Sequence, residues 1–325
     1  YGRGGTAPTV TDANLLLGRL DPAAIAGVVR HVPVERVRDA MLEQIGRPLG
    51  MDATEAAAAI VAVATNHLAG AIRLVSIERG QNPRDYALFA FGGAGPLHAT
   101  ALAAELDVPH VLVPRFPGAT SALGCVFADV RHDFVRTIAA PLLEVDAAAI
   151  DAILAEHVAA GRALIAREAV PVSGVVAVHE ADMMFGGQSH VFRVPVTSPG
   201  FDARRTMEVF TTRYRERFEI ELGEMRALLG NLRTTVLGTR TKVPMTLFGS
   251  PVAAEPLRPH TTREVYFRGA WHRTPIYRRE RLPSGASLEG PAIIEQMDAT
   301  TLLDPGARLR VDGVGNLVIE VGASA

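Results

Sequence analysis

A glycine-rich turn is the feature of this sequence best suited to chemistry. In ALFAFGGAGPLHATALAAEL, residues 87–106, a short apolar run ends in Gly92-Gly93-Ala94-Gly95-Pro96 and passes directly into an alanine-rich segment. Glycines between a strand and a helix leave backbone N–H groups unhindered, and the helix start adds a positive electrostatic end. The pattern therefore predicts a seat for a nucleotide or a phosphate group, with a tight packing turn as the alternative.

The same turn does not fit the dinucleotide fingerprint. His98 stands where the third glycine is expected, and the acidic residue that binds a ribose about twenty residues further on is missing. The nearest charge after the second predicted strand is Arg115. The sequence thus disfavours NAD as the ligand.

Three further polar residues are candidates for the same site. Asn66 and Arg73 lie one heptad apart among small residues on a long predicted helix, residues 52–78, and either line a ligand cleft or bind a neighbouring loop. Asp12, in TVTDAN, is the only early carboxylate that we consider as a catalytic candidate near a bound phosphate. Cys125, flanked by apolar residues, is predicted to be a buried structural thiol.

The turn is held by a predicted βαβ unit. A strand over residues 86–91, a helix over residues 96–106 and a strand over residues 110–114 imply parallel strands and an α/β sheet. Asp21 and Pro22 predict the start of another helix. On the helix of residues 52–78, the stripe Ile60, Ala64, Leu68, Ala71 and Val75 is predicted to face the core.

From residue 172 the sequence pattern becomes typical of β-strands. Gly186-Gly187 predicts a two-residue hairpin that pairs Glu180 with Arg193 and Met183 with His190. One face of this hairpin, with Ala181, Met183 and Val194, is predicted to be buried. In that register Asp182 faces away from the histidines at 179 and 190, so no metal site is predicted. We expect two domains, residues 1–170 and a smaller β-rich α+β domain at residues 171–325.

Composition limits the function classes. The chain has 325 residues, 48% hydrophobic residues and a formal net charge of −2, so it lacks a basic field for nucleic acid. One cysteine fits a reducing compartment, and the cytoplasm is predicted. The longest apolar run, residues 56–65, is about half as long as a bilayer span, which predicts no membrane segment.

Several long motifs resemble the hydantoinase A and oxoprolinase family. They are PTVTDANLLLGRL, NPRDYALFAFGGAGPLHA, VPRFPGATSALGCVFADVRHDFVRT and GPAIIEQMDATTLLDPG, and they run from near Tyr1 to about Gly306. The resemblance implies the second half of an actin/hexokinase-like, ribonuclease H-like ATPase domain followed by the β-rich domain. FGGAGP, residues 91–96, looks like the turn that lies against adenosine in such folds.

The resemblance also implies a reaction and partners. Family members use ATP and Mg²⁺ to activate the carbonyl of a small cyclic amide, or, in acetone and acetophenone carboxylases, a ketone or a partner substrate. The two phosphate-binding loops of the family, each with an Asp and a Gly-Gly-Thr, are not found in this sequence. We therefore expect a C-terminal portion that is inactive without its N-terminal half and that pairs with a hydantoinase B-type subunit. The alternative is a non-catalytic assembly module.

Overall fold

The structure is a computed structural model that describes residues 4–23, 33–219, 225–242, 244 and 257–322. Its helices, in chain order, are α1 (Val10–Leu16), α2 (Val34–Met41), α3 (Arg47–Leu49), α4 (Ala53–Val75), α5 (Gly95–Glu105), α6 (Thr120–Phe127), α7 (Ala147–Arg167) and α8 (Ala203–Phe218). Its strands are β1 (Ala87–Phe89), β2 (His110–Val113), β3 (Val130–Pro141), β4 (Gly174–Phe185), β5 (Phe192–Pro195), β6 (Ala227–Thr239), β7 (Thr261–Phe267), β8 (Ala270–Arg278), β9 (Ser287–Glu289), β10 (Ala292–Glu295), β11 (Thr300–Leu303), β12 (Arg308–Val311) and β13 (Leu317–Glu320).

The chain forms two compact units that do not follow sequence order. Unit 1 contains residues 1–125 and 244–325, and unit 2 contains residues 126–243. This division differs from the sequence-based one at residues 170 and 171. The reason lies in long-range pairing, because β3 pairs with β6 from Val130↔Gly238 to Pro141↔Leu228. β3 therefore shares a sheet with residues that follow it by about a hundred positions, and residues 126–170 belong to unit 2.

Unit 1 contains the predicted βαβ unit. β1 and β2 are parallel, with Ala87 opposite His110, and α5 connects them, which confirms the predicted crossover. The sheet continues through antiparallel β13 and has the order β1-β2-β13-β12-β9. A second sheet has the order β11-β10-β8-β7, in which β8 and β10 are parallel. Parallel neighbours bring their carboxyl ends to one edge, where ligand-binding loops commonly lie.

The core of unit 1 draws on both sheets and on one face of α5. Burial alternates along β12, where Leu309 and Val311 are buried between exposed arginines. From α5, Ala99, Leu102 and Ala103 join the same cluster. Because this cluster contains side chains of β2, β10 and β13 as well, it fixes the start of α5 relative to the strand ends.

The long helix α4 turns a different face to the core from the one predicted. Its buried residues are Ala56, Ala57, Val61, Thr65 and Ala69. Leu68 and Val75 of the predicted core stripe are 44% and 60% exposed, so that prediction is wrong. Small alanines pack closely against neighbouring helices, and the larger apolar residues remain outside.

By length and composition, the segment Ala53–Arg79 could cross a membrane, although only 17% of its most apolar window is buried in the structure. The segment also contains Asn66, His67 and Arg73, and its amino end is a capping box in which Asp52 accepts hydrogen bonds from Thr54 N and Glu55 N. Its buried face contacts α1, α2 and α5 within unit 1. We interpret α4 as a helix of the unit with an open apolar side.

Unit 2 is a four-stranded sheet, in the order β3-β6-β4-β5, covered by α7 and α8. The predicted hairpin register is wrong by two residues. Asp182 pairs with Arg193, Met183 with Phe192 and Glu180 with Pro195. Gln188 N bonds Phe185 O at 3.1 Å across a turn at Gly186-Gly187, but the pairing of β4 with β5 begins only at Phe192, so the connection spans residues 186–191. An even shift preserves the faces, so Ala181, Met183 and Val194 are buried as predicted.

Two further predictions concern Cys125 and the helix after Asp21. Cys125 is exposed, not buried, because no residue of α6 is buried in the structure. The predicted helix after Asp21 falls largely on residues 24–32, which lie outside the described residues. At its start, Asp21 Oδ1 accepts a hydrogen bond from Ala23 N at 2.8 Å.

Candidate functional site

The glycine turn connects β1 to α5 with an open backbone. Gly92 has φ +81°, a left-handed conformation that favours glycine, and its N–H donates to Pro117 O at 2.8 Å. Gly93 and Ala94 are exposed. Ala94 is the N-cap of α5 and supplies no side-chain hydrogen bond. The positive end of α5 is therefore left without a side-chain acceptor at a bend that is open to solvent.

A second loop, residues 115–118, follows β2 at the same edge of the sheet. It contacts the glycine turn through the hydrogen bond from Gly92 N to Pro117 O. Arg115 lies over the Phe116 ring, with 5.4 Å between the guanidinium carbon and the ring centroid. Phe91 and Phe116 are both partly exposed, which leaves aromatic surface beside the open backbone. Aromatic faces of this kind can stack on a purine ring.

A third loop reaches the turn from the other sheet. It comprises residues 296–299 between β10 and β11, and Gln296 N bonds Ala299 O at 3.0 Å. Asp298 Oδ2 accepts from Gly118 N at 2.8 Å, and Asp298 Oδ1 accepts from Gln296 Nε2 at 2.6 Å. A Cβ built on Gly93 would lie 3.4 Å from Asp298 O. The three loops thus form one network around the bend.

The close contact between the second and third loops requires a glycine at residue 118. A Cβ built there would lie 2.6 Å from Asp298 Oδ2 and 2.7 Å from its Cβ, closer than real Cβ atoms come. The backbone of the second loop and the side chain of the third therefore meet only because residue 118 has no side chain. This contact places a carboxylate next to the glycine turn.

Arg115 and Arg279 lie at the same edge of the sheet, and both side chains approach Gly315. Arg279 is 8% exposed, and its Nη2 donates to Gly315 O at 2.5 Å. A Cβ on Gly315 would lie 3.4 Å from Arg115 Nη1. Burial, followed by the charge of Arg115, lowers the pKa of Arg279 to about 10. Asp312 and Asp298 act in the opposite direction and offset only part of this lowering.

A buried polar group lies behind the first turn of α5. Burial, and then the charge of Arg19, holds the pKa of His98 below its usual value, so the imidazole is neutral at pH 7. Burial raises the pKa of Asp304 against the opposing charges of Arg19 and Arg268. Arg19 Nη2 donates to Tyr266 O at 3.3 Å. The first half of α5 is also tied to β11, since Thr100 Oγ1 donates to Leu302 O at 3.1 Å.

The structure does not bring the other predicted residues to the turn. Asp12 forms a capping box with Thr9, accepting from Thr9 N at 2.9 Å and from Thr9 Oγ1 at 2.6 Å. Its carboxylate is therefore engaged at the start of α1. Asn66 is exposed on α4, and no contact of its side chain with the turn is seen among the described residues.

Arg73 ties α4 to the far end of α5. Its Nη2 donates to Glu105 O at 3.2 Å and to Glu105 Oε1 at 3.1 Å. Because α5 runs from Gly95 to Glu105, this contact lies about 15 Å along the helix from the glycine turn. Of the two interpretations of Arg73 offered by the sequence, a tie to a neighbouring segment is the one that the contacts support.

Sequence reasoning missed Gln296, Asp298 and Gly118 as parts of the site. A signal was present, because QMDA stands between two apolar runs and reads as a hairpin turn. What the sequence could not provide was the neighbour of that turn, since Gly118 and Asp298 are 180 positions apart.

Comparisons with known proteins match most of the chain. A hydantoinase/oxoprolinase family model matches residues 1–134, and the model of the hydantoinase/oxoprolinase C-terminal domain matches residues 237–317. The glycine turn and the Arg115–Gly118 loop lie in the first match, and Asp298 lies in the second. The network described above therefore connects the two family regions.

Two relatives and one solved structure are similar over nearly the whole chain. The caprolactamase α subunit of Pseudomonas jessenii is 30% identical over 320 residues, covering 96% of this chain and 46% of the relative. The acetophenone carboxylase γ subunit of Aromatoleum aromaticum is 31% identical over 342 residues, covering 98% and 46%. The crystal structure of the ATP-dependent caprolactamase from Pseudomonas jessenii has a TM-score of 0.78 at 29% identity, covering 99% of this chain and 48% of that one. The chain spans less than half the length of these relatives.

Proposed function

The chain belongs to the hydantoinase/oxoprolinase family, and from that membership we propose that it is the C-terminal portion of an ATP-using subunit that opens cyclic amides. The observation that carries the proposal is the open glycine turn at residues 92–95, next to exposed aromatic rings and an uncapped helix start. A similar protein of solved structure is an ATP-dependent caprolactamase, and caprolactam is a cyclic amide. The proposed fold is the adenosine-side half of an actin-like ATPase domain.

The residues present fit an adenosine. Gly93 and Ala94 offer exposed backbone, and no atom lies within 4 Å of a Cβ position on Gly92. The partly exposed rings of Phe91 and Phe116 provide apolar surface for a purine. In this proposal residues 92–96 contact the nucleoside through backbone atoms. ATP would supply a phosphoryl group to the ring carbonyl oxygen, which makes the carbonyl carbon more reactive towards water. After water adds, the ring C–N bond would break, and hydrolysis would release phosphate and the ring-opened acid.

The phosphate end of the nucleotide is proposed to be held outside this chain. No group of three or more His, Cys, Asp or Glu suited to a metal ion is found among the residues that the structure describes. Magnesium would accordingly be bound by the phosphates and by a complementary polypeptide that carries the two phosphate loops. Without that polypeptide we expect no turnover. We propose the cytoplasm as the compartment of the reaction.

The open side of α4 is the proposed contact surface for the complementary polypeptide. A groove of about 410 Å³ runs between α4 and the preceding helices and is lined by Val10, Ile45, Leu49, Ala59, Ile60, Val63, Ala64 and His67. Large exposed apolar surfaces mark interaction sites. The relatives contain about as much polypeptide again as the part matched here, which is enough to cover this face. A hydantoinase B-type subunit is the second proposed partner.

A carboxylase-type reaction is the second candidate function. It is favoured by the 31% identity to the acetophenone carboxylase γ subunit, which is close to the 30% identity to the caprolactamase α subunit. In that case ATP would activate a ketone or a co-substrate rather than a ring carbonyl. The adenosine seat would be the same, because both reactions begin with phosphoryl transfer.

Product analysis separates these functions. The chain, assembled with the polypeptide that carries the phosphate loops and with the B-type subunit, is supplied with ATP, Mg²⁺ and a panel of caprolactam, hydantoin and 5-oxoproline. ADP formation that depends on a cyclic amide and yields the ring-opened acid is the predicted result. ADP formation that needs a ketone and bicarbonate would replace the first function by the second. An assembly that forms but does not bind ATP would show that the chain is a non-catalytic module.

A further inference from the structure

We propose that Asp298 is a nucleotide-binding residue whose carboxylate accepts a hydrogen bond from a ribose hydroxyl of ATP bound at the glycine turn. This inference rests on the proposed function and assigns the residue that would recognise the sugar. The sequence lacks an acidic residue at the usual place after the second strand of the βαβ unit, where Arg115 stands instead. The structure brings a carboxylate to the turn from a different sheet.

Asp298 is held in place on both carboxylate oxygens. Oδ2 accepts from Gly118 N at 2.8 Å, and Oδ1 accepts from Gln296 Nε2 at 2.6 Å. An ionised carboxylate can accept about four hydrogen bonds, so each oxygen retains acceptor capacity. Asp298 is only partly buried, which leaves that capacity within reach of a ligand.

Asp298 lies directly beside the glycine turn. Its backbone oxygen lies 3.4 Å from the Cβ position of Gly93, the central glycine of the turn. The orientation of Gln296 is determined by its partners, since Nε2 also points at Arg115 O, 3.5 Å away, and both partners are acceptors. The loop that carries Asp298 is therefore pre-organised before any ligand binds.

Hydroxyl groups are the ligand chemistry that this carboxylate favours. A phosphate would be repelled by it, and a magnesium ion needs several oxygen ligands, whereas no cluster of three acidic or metal-binding side chains occurs in the described part of the chain. A sugar hydroxyl donates one hydrogen bond to a charged acceptor, which is among the stronger hydrogen bonds in proteins. The ribose is the part of ATP that offers such donors.

The test compares ATP with 2′-deoxy-ATP and 3′-deoxy-ATP by calorimetry in the complete assembly. We expect the wild-type protein to bind ATP at least about tenfold more tightly than the analogue that lacks the contacted hydroxyl. In Asp298→Ala that ratio should fall to about one. Asp298→Asn retains an acceptor for Gly118 N, which protects the loop, and should lose most of the discrimination. Glu289→Gln, an exposed control, should retain the wild-type ratio.

The outcomes distinguish the inference from the function on which it rests. If ATP binds but neither hydroxyl affects its affinity, or if the ratio persists in both Asp298 variants, the ribose assignment is overturned and the nucleotide site stands. If Asp298→Ala weakens ATP and both analogues equally, Asp298 only supports the loop. If the wild-type assembly does not bind ATP, both the function and the assignment are wrong.

Discussion

Asp298 Oδ2 accepts a hydrogen bond from Gly118 N at 2.8 Å, although the two residues are 180 positions apart. This contact connects the loop after β2 with the turn between β10 and β11, and so connects the two family regions of the chain. It depends on the absence of a side chain at residue 118. The geometry of the proposed nucleotide site therefore depends on residues that no local pattern links.

Gly118→Ala tests this contact. The added Cβ would lie 2.6 Å from the Asp298 carboxylate, so we expect a loss of about 1–3 kcal/mol in the free energy of unfolding. Urea denaturation measures it. Asp298→Gly in the same chain removes the clashing atoms, and the double variant should lose less than the sum of the two single variants. Additive losses would mean that the two loops do not meet.

A glycine in α7 provides a second packing test. A Cβ on Gly161 would lie 2.5 Å from the Val236 side chain on β6, so Gly161→Ala is expected to destabilise the protein by about 1–3 kcal/mol. Gly124→Ala in α6 is the matched control, because no atom lies within 4 Å of its Cβ position, and alanine there should stabilise by about 0.5–1 kcal/mol. Equal effects in thermal denaturation would contradict the packing of α7 on β6.

Two histidines of unit 2 predict a pH-dependent stability. His157 Nδ1 and His179 Nδ1 lie 3.1 Å and 3.0 Å from the Thr234 hydroxyl. Burial is the first cause that lowers the pKa of each, followed for His157 by the charge of Arg136 and for His179 by that of His157. The folded protein therefore binds these protons less readily than the unfolded chain, whose histidines titrate near pH 6.5.

The direction of the change in stability with pH follows from this difference in proton affinity between the folded and unfolded chains. Stability should be fully present above pH 6.5 and should fall as the pH decreases below it, by at most about 1.4 kcal/mol per pH unit for each histidine. Urea denaturation between pH 5 and 8 measures the slope. His157→Gln should reduce it, and His110→Gln, at an exposed position, should not. A slope unchanged by His157→Gln would show that the buried imidazole does not control the effect.

The exposed side of α4 predicts an assembly defect without a folding defect. Val63 is 57% exposed at the edge of the apolar groove, so Val63→Glu should change the free energy of unfolding by less than about 0.5 kcal/mol. The same change should weaken co-purification with the complementary polypeptide. Leu143→Glu, at a 63% exposed position in unit 2, is the control. Normal assembly of the Val63 variant would remove the groove from the interface.

Local patterns predicted the elements that hold the site. The βαβ unit and the buried face of β4 follow from the spacing of apolar residues. These features depend on residues within a few positions of one another. The glycine turn was identifiable for the same reason, because its position between strand and helix is written in consecutive residues.

Features that depend on distant partners were not predictable. The face of α4 was predicted from the spacing of apolar residues, but its alanines pack inside while Leu68 remains exposed, and only the neighbouring helices decide this. The hairpin register was wrong because β5 begins only at Phe192, and the Gly186-Gly187 pair does not determine where strand pairing resumes. Asp298 could not be assigned to the site from the sequence because its partner Gly118 is far away in the chain.

The most direct test of the account is the affinity of the complete assembly for ATP in Gly93→Val. The backbone of Gly93 does not need a left-handed conformation, and the nearest atom to an added Cβ is Asp298 O at 3.4 Å, so the variant should fold. The valine methyl groups would occupy the open bend where the nucleoside is proposed to lie. Gly5→Val, at an exposed glycine with no atom within 4 Å, is the control. Calorimetry should show ATP binding at least about tenfold weaker in Gly93→Val than in the wild type and the control, and equal affinity in all three would contradict the assignment of the glycine turn as the adenosine seat.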